Sequence, residues 1–337
     1  MANITFGIDI GTSNIRIYNQ IDNSIFMEKN MIAIENKNTL LAYGDAAYDM
    51  YEKAPENIIA SFPVINGVIA DFNNMETLIQ YFMNDICKGN LKSYDYLIAV
   101  PTDVTEVEKR AFYDLIRDAN IRAHRIQVVE KAVADGLGLG VDVKNSRGVF
   151  VVNVGYSTTE ISVVSLGGIV LSRLVKMGGH DFDVDIINTI RSECELHIGE
   201  KSAEKIKISL SALAKENQDV VCYGRDVVSG LPVEKHIPVD ILDDSLKNSF
   251  GVIVSNIKSI LERTPPELSA DIYRHGIYLT GGASNIHNLA KLIEEETHLK
   301  TNVSEDSIDS VILGLAKVIN EEKYNSLAYT IEGMSIR

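Results

Sequence analysis

Three short segments carry residue types suited to holding a phosphorylated ligand. The first is Asp9-Ile10-Gly11-Thr12-Ser13-Asn14, a turn between the apolar run Ile4 to Ile10 and the alternating Ile15-Arg16-Ile17-Tyr18. A glycine lets the backbone approach an anion, successive N–H groups form a nest, and Thr12, Ser13 and Asn14 add donors. Asp9, two residues before that glycine, can hold a hydrated Mg²⁺ that offsets triphosphate charge. Residues 148–166 repeat the grammar: an apolar run from Gly148 to Val154, the turn Gly155-Tyr156-Ser157, then a returning strand from Ile161 to Leu166, with Asn153 two residues before the glycine. The third segment, Leu279-Thr280-Gly281-Gly282-Ala283-Ser284, ends a strand on two glycines and offers bare backbone to a flat ring such as adenine or ribose. Each segment alone also describes an ordinary turn. The order of all three predicts a ligand clamped between two facing domains.

The elements that must position these turns follow from hydrophobic period. Gly167-Gly168 turns into a third strand, Ile169 to Val175, so each half opens with an antiparallel meander. Strands alternating with amphipathic helices place both halves in the α/β class. Thr102 or Thr105 is positioned to cap a helix whose core face is Val107, Ala111, Phe112, Leu115 and Ile116. A second helix is expected from Glu130 to about Leu139, with Ala132, Gly136 and Gly140 letting a neighbour approach closely. A third starts near Ser202 and carries Glu204 and Lys207; a fourth is expected to follow the strand Gly276 to Thr280 after Gly281-Gly282. The halves meet in a short polar crossover, Val141 to Arg147.

Composition narrows the class. At 337 residues two domains are the default, and 45% hydrophobic content supports a substantial core. No apolar run approaches the roughly 20 residues of a membrane span, and Met1-Ala2-Asn3 leads straight into an alternating stretch, so a cytoplasmic protein is expected. With 47 acidic against 32 basic side chains, the net charge of −15 argues against a nucleic-acid partner. Cys87, Cys194 and Cys222 are widely spaced and odd in number, which predicts buried free thiols; the seven histidines form no metal-ligand pattern.

The three segments in order resemble the two phosphate motifs and the adenosine motif of the actin, sugar-kinase and heat-shock ATPase superfamily. Within it the chain is similar to the MreB family of bacterial actin-like proteins. The likeness includes Pro55-Glu56-Asn57-Ile58 with Gly67-Val68-Ile69-Ala70-Asp71-Phe72, and Gly178-Gly179 with Asp181-Phe182-Asp183. It continues through Ile198-Gly199-Glu200 with Ala203-Glu204-Lys205-Ile206-Lys207, and Pro265-Pro266-Glu267-Leu268, covering roughly residues 4 to 320. The resemblance implies ATP with Mg²⁺ in the cleft, Glu130 and Thr158 positioning the attacking water, and Asp9 on the metal side through water. It assigns Gly11, Thr12, Ser13 and Asn14 to the first phosphate loop, and Asn153, Gly155, Tyr156, Ser157 and Thr159 to the second. Glu204 and Lys207 fall at ribose and adenine positions, Gly281, Gly282 and Ala283 in the adenosine motif, and Gly178 and Gly179 among the nucleotide-binding residues.

The departures predict slow hydrolysis. Asn153 stands where the family carries a metal-side Asp, and Tyr156-Ser157 replace two glycines. Loss of one metal-side charge would cost about 1–3 kcal/mol. The fold implied is an actin-like pair of domains: residues 1–142 plus 321–337, with a small subdomain near 33–73, and 143–320, with one near 181–246. The function implied is a cell-shape filament that polymerises with ATP into antiparallel double protofilaments. Membrane surfaces, membrane proteins and paralogous filament proteins are its implied partners. A membrane-associated state would use the loop Lys88 to Asp95, whose Leu91 and Tyr94 are flanked by lysines. The alternatives are a hydrolysis-deficient scaffold of the same fold and a small-molecule kinase, for which no segment offers a carboxylate base.

Overall fold

The computed structural model of the chain describes residues 3–89, 92–216, 219–304 and 306–331, and of 211–216 the backbone only. The first half runs β1 (Thr5–Ile10), β2 (Asn14–Asn19), β3 (Ser24–Lys29), β4 (Ile32–Glu35), β5 (Thr39–Tyr43), α1 (Gly44–Met50) and β6 (Ile58–Ser61). It continues through β7 (Val64–Ile65), β8 (Val68–Ile69), α2 (Phe72–Ile86), β9 (Tyr94–Val100), α3 (Glu106–Asp118) and β10 (Ala123–Glu130). Then follow α4 (Lys131–Gly138), β11 (Val149–Val154), β12 (Thr159–Ser165), β13 (Gly168–Val175), α5 (Gly179–Cys194), β14 (Leu196–His197) and α6 (Glu200–Glu216). The remainder is β15 (Val220–Asp226), β16 (Pro232–Ile237), α7 (Val239–Arg263), α8 (Pro266–His275), β17 (Ile277–Thr280), α9 (Leu289–Thr297), β18 (Thr301–Val303) and α10 (Ser310–Asn320).

Two five-stranded sheets share one plan. The first has the order β10-β9-β1-β2-β3 and the second β13-β12-β11-β17-β18. In each, the leading strand pairs antiparallel with the next strand on one side and parallel with a later strand on the other. The register matches too: Asp9 faces Arg16 and Ile10 faces Ile15, as Asn153 faces Glu160 and Val154 faces Thr159. A small sheet, β5-β4-β6 with α1, rises from the first half, and another, β14-β15-β16 with α6, from the second.

Between the large sheets lie α4 and α10. Their shared core takes Leu97 and Ala99 from β9, Val149 and Val151 from β11, and Val311, Ile312 and Leu315 from α10. The close approach runs through Gly138 and Gly314, where a β-carbon on either would meet the partner helix's backbone; Gly136 instead packs on Val143, and Gly140 faces open space. The expected glycine face was therefore wrong by half a turn, because every side of α4 is covered and period alone cannot choose among them. The crossover is not purely polar either, since Val141 and Val143 are buried.

Local signals resolve the remaining ends. Thr105, not Thr102, caps α3, in a capping box with Glu108; Thr102 accepts the Ala132 N–H instead. Phe112, Leu115 and Ile116 are buried as expected, whereas Val107 is 71% exposed on the first turn. The helix expected after Gly281-Gly282 is α9, which begins at Leu289 after a series of turns. Tyr94 is buried with its ring edge-on to Phe6 at 5.0 Å, so it is unavailable for membrane insertion; Leu91 lies outside the described residues. Among the described residues no helix is long and apolar enough to cross a membrane. Of the three cysteines, all free, only Cys222 is fully buried.

Candidate functional site

The two hairpin turns are built alike and touch. The Gly11 N–H donates to the Asn14 carbonyl at 3.0 Å, and the Gly155 N–H to the Thr158 carbonyl at 2.8 Å. A β-carbon at Gly11 would lie 2.8 Å from Asn14 O, and one at Gly155 3.0 Å from Thr158 O, so both bends need a residue without a side chain. Across the cleft, Thr12 Oγ1 and Ser157 Oγ are 2.8 Å apart, 145 residues distant in sequence. Asn30, fully buried, donates its amide to the Gly11 carbonyl at 2.8 Å and fixes the first turn from behind.

The third segment closes on the second turn. Gly281 has φ +87°, and a β-carbon there would lie 2.4 Å from Val154 O; the Ala283 N–H donates to that same oxygen at 3.0 Å. Gly178 and Gly179 brace the second turn from the other side, the Gly179 N–H reaching Gly155 O at 2.9 Å. Lys207 Nζ donates to Gly179 O and Asp183, both at 2.7 Å. Burial pushes Asp183 up to about 6 in spite of that lysine.

A charged cluster lies beneath the turns. Lys131 Nζ is 3.1 Å from Asp9 Oδ1, with the two side chains only 17% and 8% exposed. Burial pulls the Lys131 ammonium down, but Asp9, Glu160 and Asp135 outweigh it and hold the group above the ordinary lysine range. Asp135 is fully buried and accepts from Asn153 Nδ2 at 2.7 Å and from Thr280 Oγ1 at 2.6 Å. It thereby ties the second phosphate turn to the strand of the third segment. Burial pushes Asp135 and Glu160 above the usual carboxylate range, against the pull of Lys131.

Over the cleft, α1 reaches the opposite small sheet's helix. Tyr48 donates to Glu204 at 2.5 Å, Tyr51 to Glu200 at 2.9 Å, and Glu52 accepts the Glu200 N–H at 3.0 Å. Burial alone would raise Glu204, yet the Tyr48 hydroxyl with Lys29 and Lys207 holds it below the usual range. The Tyr156 ring packs between Phe62 at 5.5 Å and His180 at 5.4 Å.

This arrangement has relatives across the whole chain. The family model described as MreB/Mbl protein matches residues 3–326. The chain belongs to the MreB/Mbl family. The cell shape-determining protein Mbl of Bacillus subtilis (strain 168) is 35% identical, over 93% of this chain and 95% of its own. The cell shape-determining protein MreB of Escherichia coli (strain K12) is 33% identical, over 93% and 92%. The crystal structure of MreB5 of Spiroplasma citri bound to AMPPNP superposes with a TM-score of 0.90 at 34% identity, covering 97% of this chain and 98% of that one. The MamK double helical filament, 19% identical with a TM-score of 0.79 over 95% and 99%, shows the shared actin-like fold.

For this MreB/Mbl chain the contacts above bring the turn of Gly11 to Asn14 to that of Gly155 to Thr158, and join the second turn to Gly178, Gly179, Gly281 and Ala283. Thr159 does not face the cleft: the residue is fully buried, its hydroxyl donating to Met177 O at 2.9 Å. Glu130 Oε1 pairs with Lys109 at 2.8 Å and accepts from Tyr329 at 2.8 Å, while the next residue, Lys131, turns to Asp9. Lys131 and Asp135 went unread in the sequence, although two charges four apart on the otherwise apolar Ala132-Val133-Ala134 helix were a usable signal.

Proposed function

We propose that this MreB/Mbl chain is an actin-like cell-shape protein that binds a nucleoside triphosphate between its two hairpin turns and polymerises in response. The observation that carries the reading is the 2.8 Å contact of Thr12 with Ser157, which brings two glycine turns from separate sheets to one point. Nests of this kind suit polyphosphate, and a ligand gripped by both turns would set the angle between the halves. In support, S. citri MreB5 has been solved with AMPPNP and with ADP, and MamK as a filament. The domain limits near residues 142 and 320 belong to this reading, with α4 and α10 as the layer between the halves.

The Mg²⁺ that the family implies fits these residues poorly. Asp9 Oδ1 has the Lys131 ammonium 3.1 Å away, and Asn153, which brings no charge, commits its amide N–H to Asp135. Turnover is slow on this reading, because an ammonium only donates and cannot accept a proton from water, and one oxygen of Glu130 is taken by Lys109 and Tyr329. Filament stability then follows nucleotide binding more than hydrolysis.

Sedimentation tests it. The pelleted fraction should rise with ATP and with AMPPNP over the nucleotide-free protein, and persist equally long with both. A pellet indifferent to nucleotide would remove the reading, and one that decays in ATP alone would remove slow turnover.

A further inference from the structure

The buried ion pair beneath the turns points beyond nucleotide binding as such. We propose that the Lys131 ammonium takes the place of a divalent cation, so that this chain holds the polyphosphate of a nucleotide without one. The inference rests on the functional reading above.

The donor set is the first ground. A site for a hydrated divalent cation needs anionic oxygen free to receive its water shell. Asp9, the carboxylate beside the first turn, has Lys131 Nζ 3.1 Å from its Oδ1. At the matching place in the second hairpin stands Asn153, which brings no charge and spends its amide N–H on Asp135 at 2.7 Å. Its Oδ1 faces the bend at Gly281, where a β-carbon would approach to 2.7 Å. A cation entering beside Lys131 would meet a fixed positive charge and one carboxylate already shared.

The second ground is what the ammonium can do. It carries three N–H donors and no acceptor, the donor set a phosphate oxygen needs. Asp9 pairs with it by charge at 3.1 Å, and the N–H donors are available to a ligand. The Lys131 side chain, 17% exposed, is more accessible than the 8% exposed Asp9 that anchors it. The remaining acids lie behind: Glu160 accepts the Thr102 N–H at 3.3 Å, and Asp135 is fully buried under Asn153 and Thr280.

The test is calorimetric titration of ATP into the full chain, once with excess magnesium chloride and once with excess EDTA, for wild type and Lys131→Gln. Wild-type Kd should agree within about threefold between the two conditions, and Lys131→Gln should lose about tenfold or more in EDTA. Magnesium should recover part of that loss, because Asp9 is freed. A wild-type affinity that falls tenfold or more in EDTA overturns the proposal, as does Lys131→Gln binding like wild type in EDTA. If the variant fails to melt cooperatively, the wild-type comparison decides alone. Absence of ATP binding in both conditions would instead overturn the nucleotide reading itself, and this inference with it.

Discussion

Gly314→Ala is expected to abolish cooperative unfolding or to cost at least about 3 kcal/mol, the upper end of overpacking. An ideal β-carbon at Gly314 would lie 1.7 Å from the Ala134 carbonyl oxygen, and one at Gly138 1.7 Å from that of Ser310. Both obstacles are backbone in the facing helix, so no rotamer change relieves them, and α4 and α10 must separate. That displacement is transmitted to the cleft. The two helices form the layer that fixes one sheet against the other, and the Thr12–Ser157 contact depends on that spacing. Gly138→Ala should behave alike. Gly251→Ala provides the contrast: it lies in the interior of α7 with nothing within 4 Å of a new β-carbon. There alanine should stabilise by about 1 kcal/mol, since only the backbone entropy of glycine is removed. Urea denaturation of the three variants checks this, and small equal effects would mean that α4 and α10 do not cross so closely.

Asp135→Ala should cost about 3–5 kcal/mol, the penalty for breaking a buried charged network on one side. Truncation leaves the Asn153 amide and the buried Thr280 hydroxyl without their acceptor, and Lys131 without one of its counter-charges. It also unties the second phosphate turn from the strand that ends at Gly281. Nucleotide affinity should therefore fall together with stability. Asp135→Asn, which keeps one acceptor oxygen, should lose less on both measures. Denaturation midpoints with ATP titration separate the cases; an Asp135→Ala protein as stable as wild type would show that the network contributes nothing.

What could be read in the chain and what could not divide along a physical line. The turns were legible because their requirements are local: Gly11 and Gly155 must bend within four residues, and the hydroxyls and Asp9 or Asn153 sit beside them. The doubled sheet plan was legible for the same reason, since strand, turn and strand recur as a unit. Glu130 and Lys131 are adjacent, and which of them enters the cleft depends on where β10 ends and α4 begins. A one-residue change of phase exchanges their surroundings, and partners 21 and 199 residues away, Lys109 and Tyr329, decide the outcome. Thr159 was misplaced by the same alternation, its hydroxyl turning to Met177. The role of Asp135 needed Asn153 and Thr280 brought to one point, which only the finished fold supplies.

The same dependence makes one measurement decisive. A structure determined with bound AMPPNP should show the phosphates between the turns of Gly11 to Asn14 and Gly155 to Thr158, within reach of Lys131. Phosphates located elsewhere on the chain, or a ligand that contacts one turn and leaves the other in solvent, would contradict the shared cleft.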